Sequence, residues 1–461
     1  MPLVQCKTFP ATRTRWAPGV AAGIDYTAAA MSARATPADL PAPTDEQAGT
    51  STRLLAQIQR TLAQQGGWIG FDRYMQQALY EPGLGYYAGG SRKFGAGGDF
   101  VTAPELSPLF GQCLAVQLAE WFEHVPPVVW EFGAGSGELA AQLLEALPGL
   151  GVERCEYRIV EVSAELRERQ RLCLAQRVPE ALNRVTWCDQ LPESLEGVVL
   201  ANELLDALPV RVFEFDGVSV YECGVRCTDD GLGLVVASRP ADAALSARVR
   251  TTLADAGWGA AEPIGIAEAT ERIRPAEPQA AGPAQENPSP VDRPGAARYR
   301  SELGEQAAAW VATLASRLTR GAMLLIDYGF PRTEYYHPQR SQGTLNCHYR
   351  HRSHADPLWM PGLCDITAHV DFSRVFDEAR RQGLACLGYT SQANFLLACG
   401  LPEVFARLQP DDPLERARFA QALQALVSEA EMGELFKVIA FGRGLPAPAR
   451  GFSLRDRQQA L

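Results

Sequence analysis

No stretch of the 461 residues approaches the ~18 consecutive apolar residues that a membrane-spanning helix needs, and membrane insertion is not expected. A basic excess is missing too. The formal net charge is −11, and such a surface repels phosphate backbones, so nucleic acid is an unexpected partner while a cationic protein or peptide is compatible. The eleven cysteines lack paired spacing, Cys223 and Cys227 being the nearest thing to a couple. This reads as reduced or buried thiols in an intracellular protein, and no metal site is expected from them. Internal repeats are absent as well.

The length suggests more than one domain or one enlarged domain. Residues 1–50, basic at first and then rich in alanine, threonine and proline, read as a disordered tail or as a start placed too early, with Met31 the true start. Neither an amphipathic helix nor a cleavage pattern supports a targeting segment there, so a cytoplasmic location is expected. Residues 51–126 form a helical and glycine-rich region, with two amphipathic helices split by Gly66-Gly67 and a helix from Pro108 to about Glu123. Between them Glu81–Gly111 is too glycine- and proline-rich for regular structure and too aromatic for a plain linker, which marks a functional loop.

From residue 127 to 442 the pattern alternates strand and helix. Strands fit "VVWEF", "YRIVEV", "RVTWC", "GVVLAN" and "GAMLLIDYG", and helices fit Glu138–Leu147, Ala164–Gln176 and Ser301–Leu318. Apolar runs separated by helices imply an α/β fold, a Rossmann-like parallel sheet with helices on both faces. "RVFEFDGVSVYECGV" predicts an antiparallel hairpin hung on that sheet. Residues 239–297 read as a low-complexity surface insertion, disordered over Pro275–Ala297. Residues 391–433 read as a helical insertion before the last strand, and residues 443–461 as a tail.

The turn after "VVWEF" carries Gly133, Gly135 and Gly137, a G-x-G-x-G pattern. A dinucleotide turn needs glycine at 138, where Glu138 would repel a pyrophosphate. A P-loop is excluded because no Gly-Lys-Ser/Thr follows. S-adenosylmethionine fits better: it has no phosphate and carries a sulfonium and an amino group. Glu131 can face that amino group, and Glu161, about 24 residues past the last glycine, can accept from both ribose hydroxyls.

With these residues in place the chain resembles the MidA-like family of S-adenosylmethionine-dependent methyltransferases, which includes the mitochondrial complex I assembly factor that methylates arginine. The resemblance rests on "LYEPGLGYY", "GDFVTAPELSPLFG", "EFGAGSGELA", "ANELLDALPV", the segment Gly343–Phe372 and "MGELFKVIAFG". The family usually has proline where Ala134 sits, and alanine keeps the turn. The resemblance implies methyl transfer, with protein arginine as the acceptor in the mitochondrial branch and a respiratory-complex subunit as a possible partner. Transfer to a small-molecule nucleophile, or a non-catalytic assembly factor that keeps its cofactor pocket, stays open, and oligomeric state is undetermined.

Arginine methylation asks for carboxylates that fix the guanidinium fork. Glu203 and Asp206, following the fourth strand beside Asn202, are the expected catalytic pair, with capping of the next helix as the alternative. Phe100 and Thr102 are expected to cover the cofactor with Glu105, which is also assigned to the acceptor pocket along with Asn202, His348, Asp365 and His369. The group Cys347, His348, His351 and His354 matches no zinc module, and Arg350 and Arg352 oppose a cation there.

Overall fold

The computed structural model describes residues 36, 39–89, 102–259 and 298–461. Seven strands of the main sheet run in chain order as β1 (Val128–Phe132), β2 (Glu156–Val160), β3 (Val185–Cys188), β4 (Leu195–Asn202), β5 (Leu318–Phe330), β6 (Ala385–Ser391) and β7 (Phe436–Arg443). Their spatial order is β3-β2-β1-β4-β5-β7-β6, and the short strand Val370–Asp371 pairs with the end of β5. Strands β1 to β5 are mutually parallel, and β7 runs antiparallel to both of its neighbours. The sheet is therefore mixed. The order reverses between β1 and β4, and ligands of open α/β sheets bind beyond the carboxyl ends at such a switch point.

Alternation along each strand builds one core per face. Val129, Tyr157, Val198, Leu200, Leu324 and Val438 pack under the helices Leu109–Phe122 and Glu138–Ala146 and those of the insertion. Trp130, Val199, Leu325, Ile439 and Phe441 pack on the other side against helices Glu305–Arg317 and Phe372–Arg381. The helical insertion between β6 and β7 comprises Gln392–Ala398, Leu401–Leu408, Pro413–Val427 and Met432–Leu435.

Several boundaries differ from the sequence reading. The first helix begins at Asp45, ahead of Ser51, because Thr44 and Gln47 form a capping box. Leu40 is buried, and Arg350 and Arg352 donate to the carbonyls of Ala42 and Asp39, so residues 39–50 are an ordered part of the fold. The expected hairpin is not hung on the main sheet. It belongs to a separate five-stranded antiparallel sheet with Ile69–Gly70, Leu234–Pro240 and Tyr299–Leu303. Residues 301–303 thus leave the expected helix for the strand Tyr299–Leu303, and the helix starts at Glu305, since pairing with Arg211–Phe215 outweighs local helix propensity. The residues placed at the start of the insertion are also structured. Asp242 caps helix Ala243–Asp255, whose Leu245, Val249 and Leu253 form a stripe against Phe213 and Val220 that the alanine-rich composition disguised. The segment Pro275–Ala297 lies outside the described residues.

The C-terminal residues are not a free tail. Phe452 is buried against Gly388 and packs its ring on Phe395, centroids 5.5 Å apart, while the Arg457 amide donates to the Tyr389 carbonyl at 2.7 Å. Phe452→Ala should cost about 3–5 kcal/mol of unfolding free energy, read from denaturant titration. A loss under 1 kcal/mol would show that the segment merely rests on the sheet.

Candidate active site

Strand β1 ends in the glycine turn. Gly133, Gly135 and Gly137 have φ of 67°, 51° and 88°, a region that side chains with a Cβ rarely adopt. Space is short as well. A Cβ on Gly133 would lie 2.9 Å from Cδ1 of Leu204, and one on Gly137 would lie 3.1 Å from the Cα of Gln170. Gly137 is the N-cap of helix Glu138–Ala146. The turn is tied to the end of β2 by Gln170, whose amide donates to the Gly135 carbonyl at 3.1 Å and to Glu161 at 3.2 Å.

The acids at the strand ends are held from within. Glu131 is 2% exposed and accepts from the Tyr157 hydroxyl at 2.8 Å. Burial pushes its carboxyl up to about 7, against the lowering effect of the Tyr157 bond and with the help of the Glu161 charge. Glu161 follows β2, accepts from the Ser163 amide at 2.9 Å, and is likewise raised by burial. Tyr157 and Gln170 were missed in the sequence. Tyr157 was within reach: in the parallel register Val129 pairs with Tyr157 and Glu131 with Ile159, so Glu131 and Tyr157 share a face on a diagonal.

A cavity of about 440 Å³ opens over this edge. Its wall includes Glu131, Gly133, Gly135 and Glu161, the apolar Val162, Leu191 and Trp310, and, farther along, Thr102, Asn202 and Glu203 with Tyr80 and Tyr87. Glu203 has a left-handed backbone, φ 52°, uncommon for a residue with a side chain and concentrated at functional sites. Its Oε1 accepts from the Asn202 amide at 3.1 Å and the Ala103 N–H at 3.4 Å. Burial first, then the neighbouring Asp206, pushes it up to about 8.

Gly137, Glu105, Asp206, His348, Asp365 and His369 are not in that wall. The last four form a layer behind it. Asp206 is buried and hydrogen-bonded to Tyr328, with its carboxyl raised by burial to about 6. Asp365 accepts from the Tyr87 hydroxyl at 2.9 Å and stands opposite His348 in a three-stranded antiparallel sheet, where His348 pairs with Asn346 at 2.9 Å. The His369 ring meets the Tyr328 ring edge-on at 5.1 Å. Two residues separate Glu203 from Asp206, yet with a left-handed backbone at Glu203 only Glu203 lines the cavity. Of the expected catalytic pair, Asp206 stands next to Glu203 without lining the cavity. Glu105 lies in the turn Ala103–Leu106, near enough for its charge to raise Glu203. Phe100 lies outside the described residues. Among the described residues no three His, Cys, Asp or Glu side chains group to hold a metal.

A glycine turn with no room for side chains, beside two buried acids and a cavity with no Lys or Arg among the described wall residues, fits a cationic, phosphate-free nucleoside cofactor. Residues 113–390 match the family described as "Putative S-adenosyl-L-methionine-dependent methyltransferase", and the chain belongs to that family. Its fold is the Rossmann-like methyltransferase fold and its cofactor is S-adenosylmethionine. Among solved structures it is similar to one from Burkholderia thailandensis bound to S-adenosyl-homocysteine, with 45% identity and a TM-score of 0.79 over 92% of this chain and 100% of that one. Among curated proteins it is similar to "Protein arginine methyltransferase NDUFAF7, mitochondrial" of Danio rerio, 30% identical over 402 residues, 80% of this chain and 82% of that protein. The Homo sapiens protein of the same name is 28% identical over 402 residues, 81% and 80% of the two chains. These relatives are named as mitochondrial, which overturns the expected cytoplasmic location.

Two outcomes follow from the geometry at Glu131 and Glu161. Glu161→Ala should weaken S-adenosylmethionine binding by ~1–3 kcal/mol, the usual cost of stranding polar partners, and an unchanged calorimetric affinity rejects its place in the site. Glu131, held near 7 without ligand and drawn to its ionised form by a cation, should make affinity rise with pH from about 5.5 to 7.5 and release protons on binding. The ligand-free fold should move oppositely. These raised acids contribute stability fully below about pH 4, and that contribution is lost progressively as pH climbs from about 4 to about 8. Melting curves with and without the donor across this range check both signs.

Proposed function

We propose that the protein transfers a methyl group from S-adenosylmethionine to an arginine side chain of a protein substrate. The observation that carries this reading is Glu203, a carboxyl with a left-handed backbone in the wall of the cavity that also contains the glycine turn. The names of the curated relatives support the acceptor class.

The bound donor supplies an electrophilic methyl on a sulfonium. The residues of this chain do the rest. Glu131 receives the amino group of the methionine part, Glu161 the ribose hydroxyls, and the glycines let the backbone approach. Glu203 pairs with the guanidinium fork and leaves one nitrogen free to attack. The new N–C bond forms as the C–S bond breaks, and the nitrogen then sheds a proton. The Glu203 carboxylate, ionised by the guanidinium beside it, is placed to take that proton. Tyr80 and Tyr87, their rings stacked at 5.5 Å, form an aromatic wall suited to the flat face of a guanidinium. Asp206, Asp365 and His369 act from behind, shaping that wall without touching the acceptor. A respiratory-complex subunit as substrate is the finer form of the proposal.

Incubation with labelled donor and a lysate lacking the protein, followed by mass spectrometry, tests the reading. Label on protein arginine supports it; label on a metabolite points to a small-molecule nucleophile, and donor binding without transfer to a non-catalytic role. With the acceptor in hand, Glu203→Gln should lower the rate roughly 10²-fold or more while donor affinity stays within about twofold. Turnover at the parent rate removes Glu203 from the chemistry.

A further inference from the structure

Strand β5 outruns β4. The last residues paired between them are Ile326 and Asn202, and the Glu203 amide still donates to the Ile326 carbonyl at 2.9 Å. Beyond that point the chain after β4 bends away, and the Leu205 and Asp206 amides lose the backbone acceptors that a longer strand would have met. Both residues are buried, so their N–H groups need partners from the protein. Asp327 provides one. Its Oδ2 accepts from Leu205 N at 2.8 Å and from Asp206 N at 3.3 Å, while Oδ1 accepts from Tyr328 N at 2.9 Å. The side chain is 1% exposed and does not line the cavity, so its hydrogen bonds go to the chain itself.

We propose that Asp327 is a positioning residue for methyl transfer: its carboxyl replaces the missing strand acceptors and locks residues 203–206 in the bend that keeps Glu203 left-handed and in the cavity wall. A left-handed non-glycine residue persists only where its surroundings over-determine it. Here the surroundings are the ladder bond at Ile326 on one side and the Asp327 carboxyl on the other. The inference rests on the reading of Glu203 as the acceptor-binding carboxylate.

Asp327→Asn keeps an oxygen that can accept both amides; Asp327→Ala removes it. The two variants and Glu203→Gln are compared by melting curve, by calorimetry with S-adenosylmethionine, by transfer into the acceptor found in the lysate, and by crystal structures with S-adenosylhomocysteine. A folded Asp327→Ala should lose roughly 10²-fold in kcat, the scale of an ångström's misplacement, while donor affinity changes less than about threefold. Glu203 should relax to a negative φ in its crystal structure, and Asp327→Asn should recover most of the rate with φ still positive. Parent kcat together with a left-handed Glu203 in Asp327→Ala overturns the proposal. Should Glu203→Gln turn over normally, the reading of Glu203 falls, and the φ of the Ala variant alone decides for Asp327. Asp327→Ser, whose hydroxyl is too short to reach both amides, repeats the comparison if the Ala variant does not fold. Failure of both to fold makes Asp327 a structural residue and overturns the positioning role.

Discussion

Glu131, Glu203, Asp206 and Asp327 are buried together at one edge of the sheet, and no arginine or lysine is bonded to any of them among the described residues. Ionised carboxylates in such a place are costly unless paired, and here each is raised instead, so the ligand-free edge holds protons where other proteins place cations. Much of the architecture follows. Tyr157 steadies one acid, Tyr328 another, backbone amides a third, and the aromatic residues of the N-terminal region screen the edge from water. A ligand bearing positive charge completes the set. Selectivity for the cationic cofactor then comes from the uncompensated acids of the edge as a set.

The elements that carry this edge come from three parts of the chain. Strands β1, β2, β4 and β5 deliver the acids. Helix Phe71–Tyr80 brings the Tyr80 hydroxyl to the Ala207 carbonyl at 3.0 Å, just past Asp206. The loop after Asp365–Thr367 returns to the same turn, where the Ala368 amide donates to the Asp206 carbonyl at 2.9 Å. The turn after β4 is thus gripped by the sheet, by the N-terminal region and by the late loop. A third core, with Leu54, Tyr74, Val212, Cys347 and Ile366, binds these outlying parts into one cap over the carboxyl ends.

The five parallel strands were legible because each contains a short β-branched or aromatic apolar run between helical stretches, and the glycine turn because three glycines and a flanking acid have few other uses. The positions of Glu131 near the end of the first strand and of Glu161 just past the second could be read from the strand pattern. What could not be read depended on register or on backbone twist. Asp327 sits inside an apolar run, and its partners appear only once β4 is known to end at Asn202. That Glu203 lines the cavity and Asp206 does not could be read only with the left-handed backbone at Glu203 in view. Residues 301–303 of the strand Tyr299–Leu303 looked like the start of a helix since its pairing partner, Arg211–Phe215, lies far back in the chain.

The position of β7 has a consequence for how the protein is made. The last strand of the chain does not sit at the sheet's edge. It inserts between β5 and β6, pairing along most of its length with both. A ribosome therefore delivers β5 and β6 long before the strand that separates them, and until Phe436–Arg443 emerges each presents an unfilled row of backbone donors and acceptors. Such rows invite pairing with one another or with a neighbouring chain. The helical insertion between β6 and β7 lengthens this interval. Its helices pack on the same core as the sheet, so they can cover the apolar face of the nascent sheet while the slot for the final strand waits.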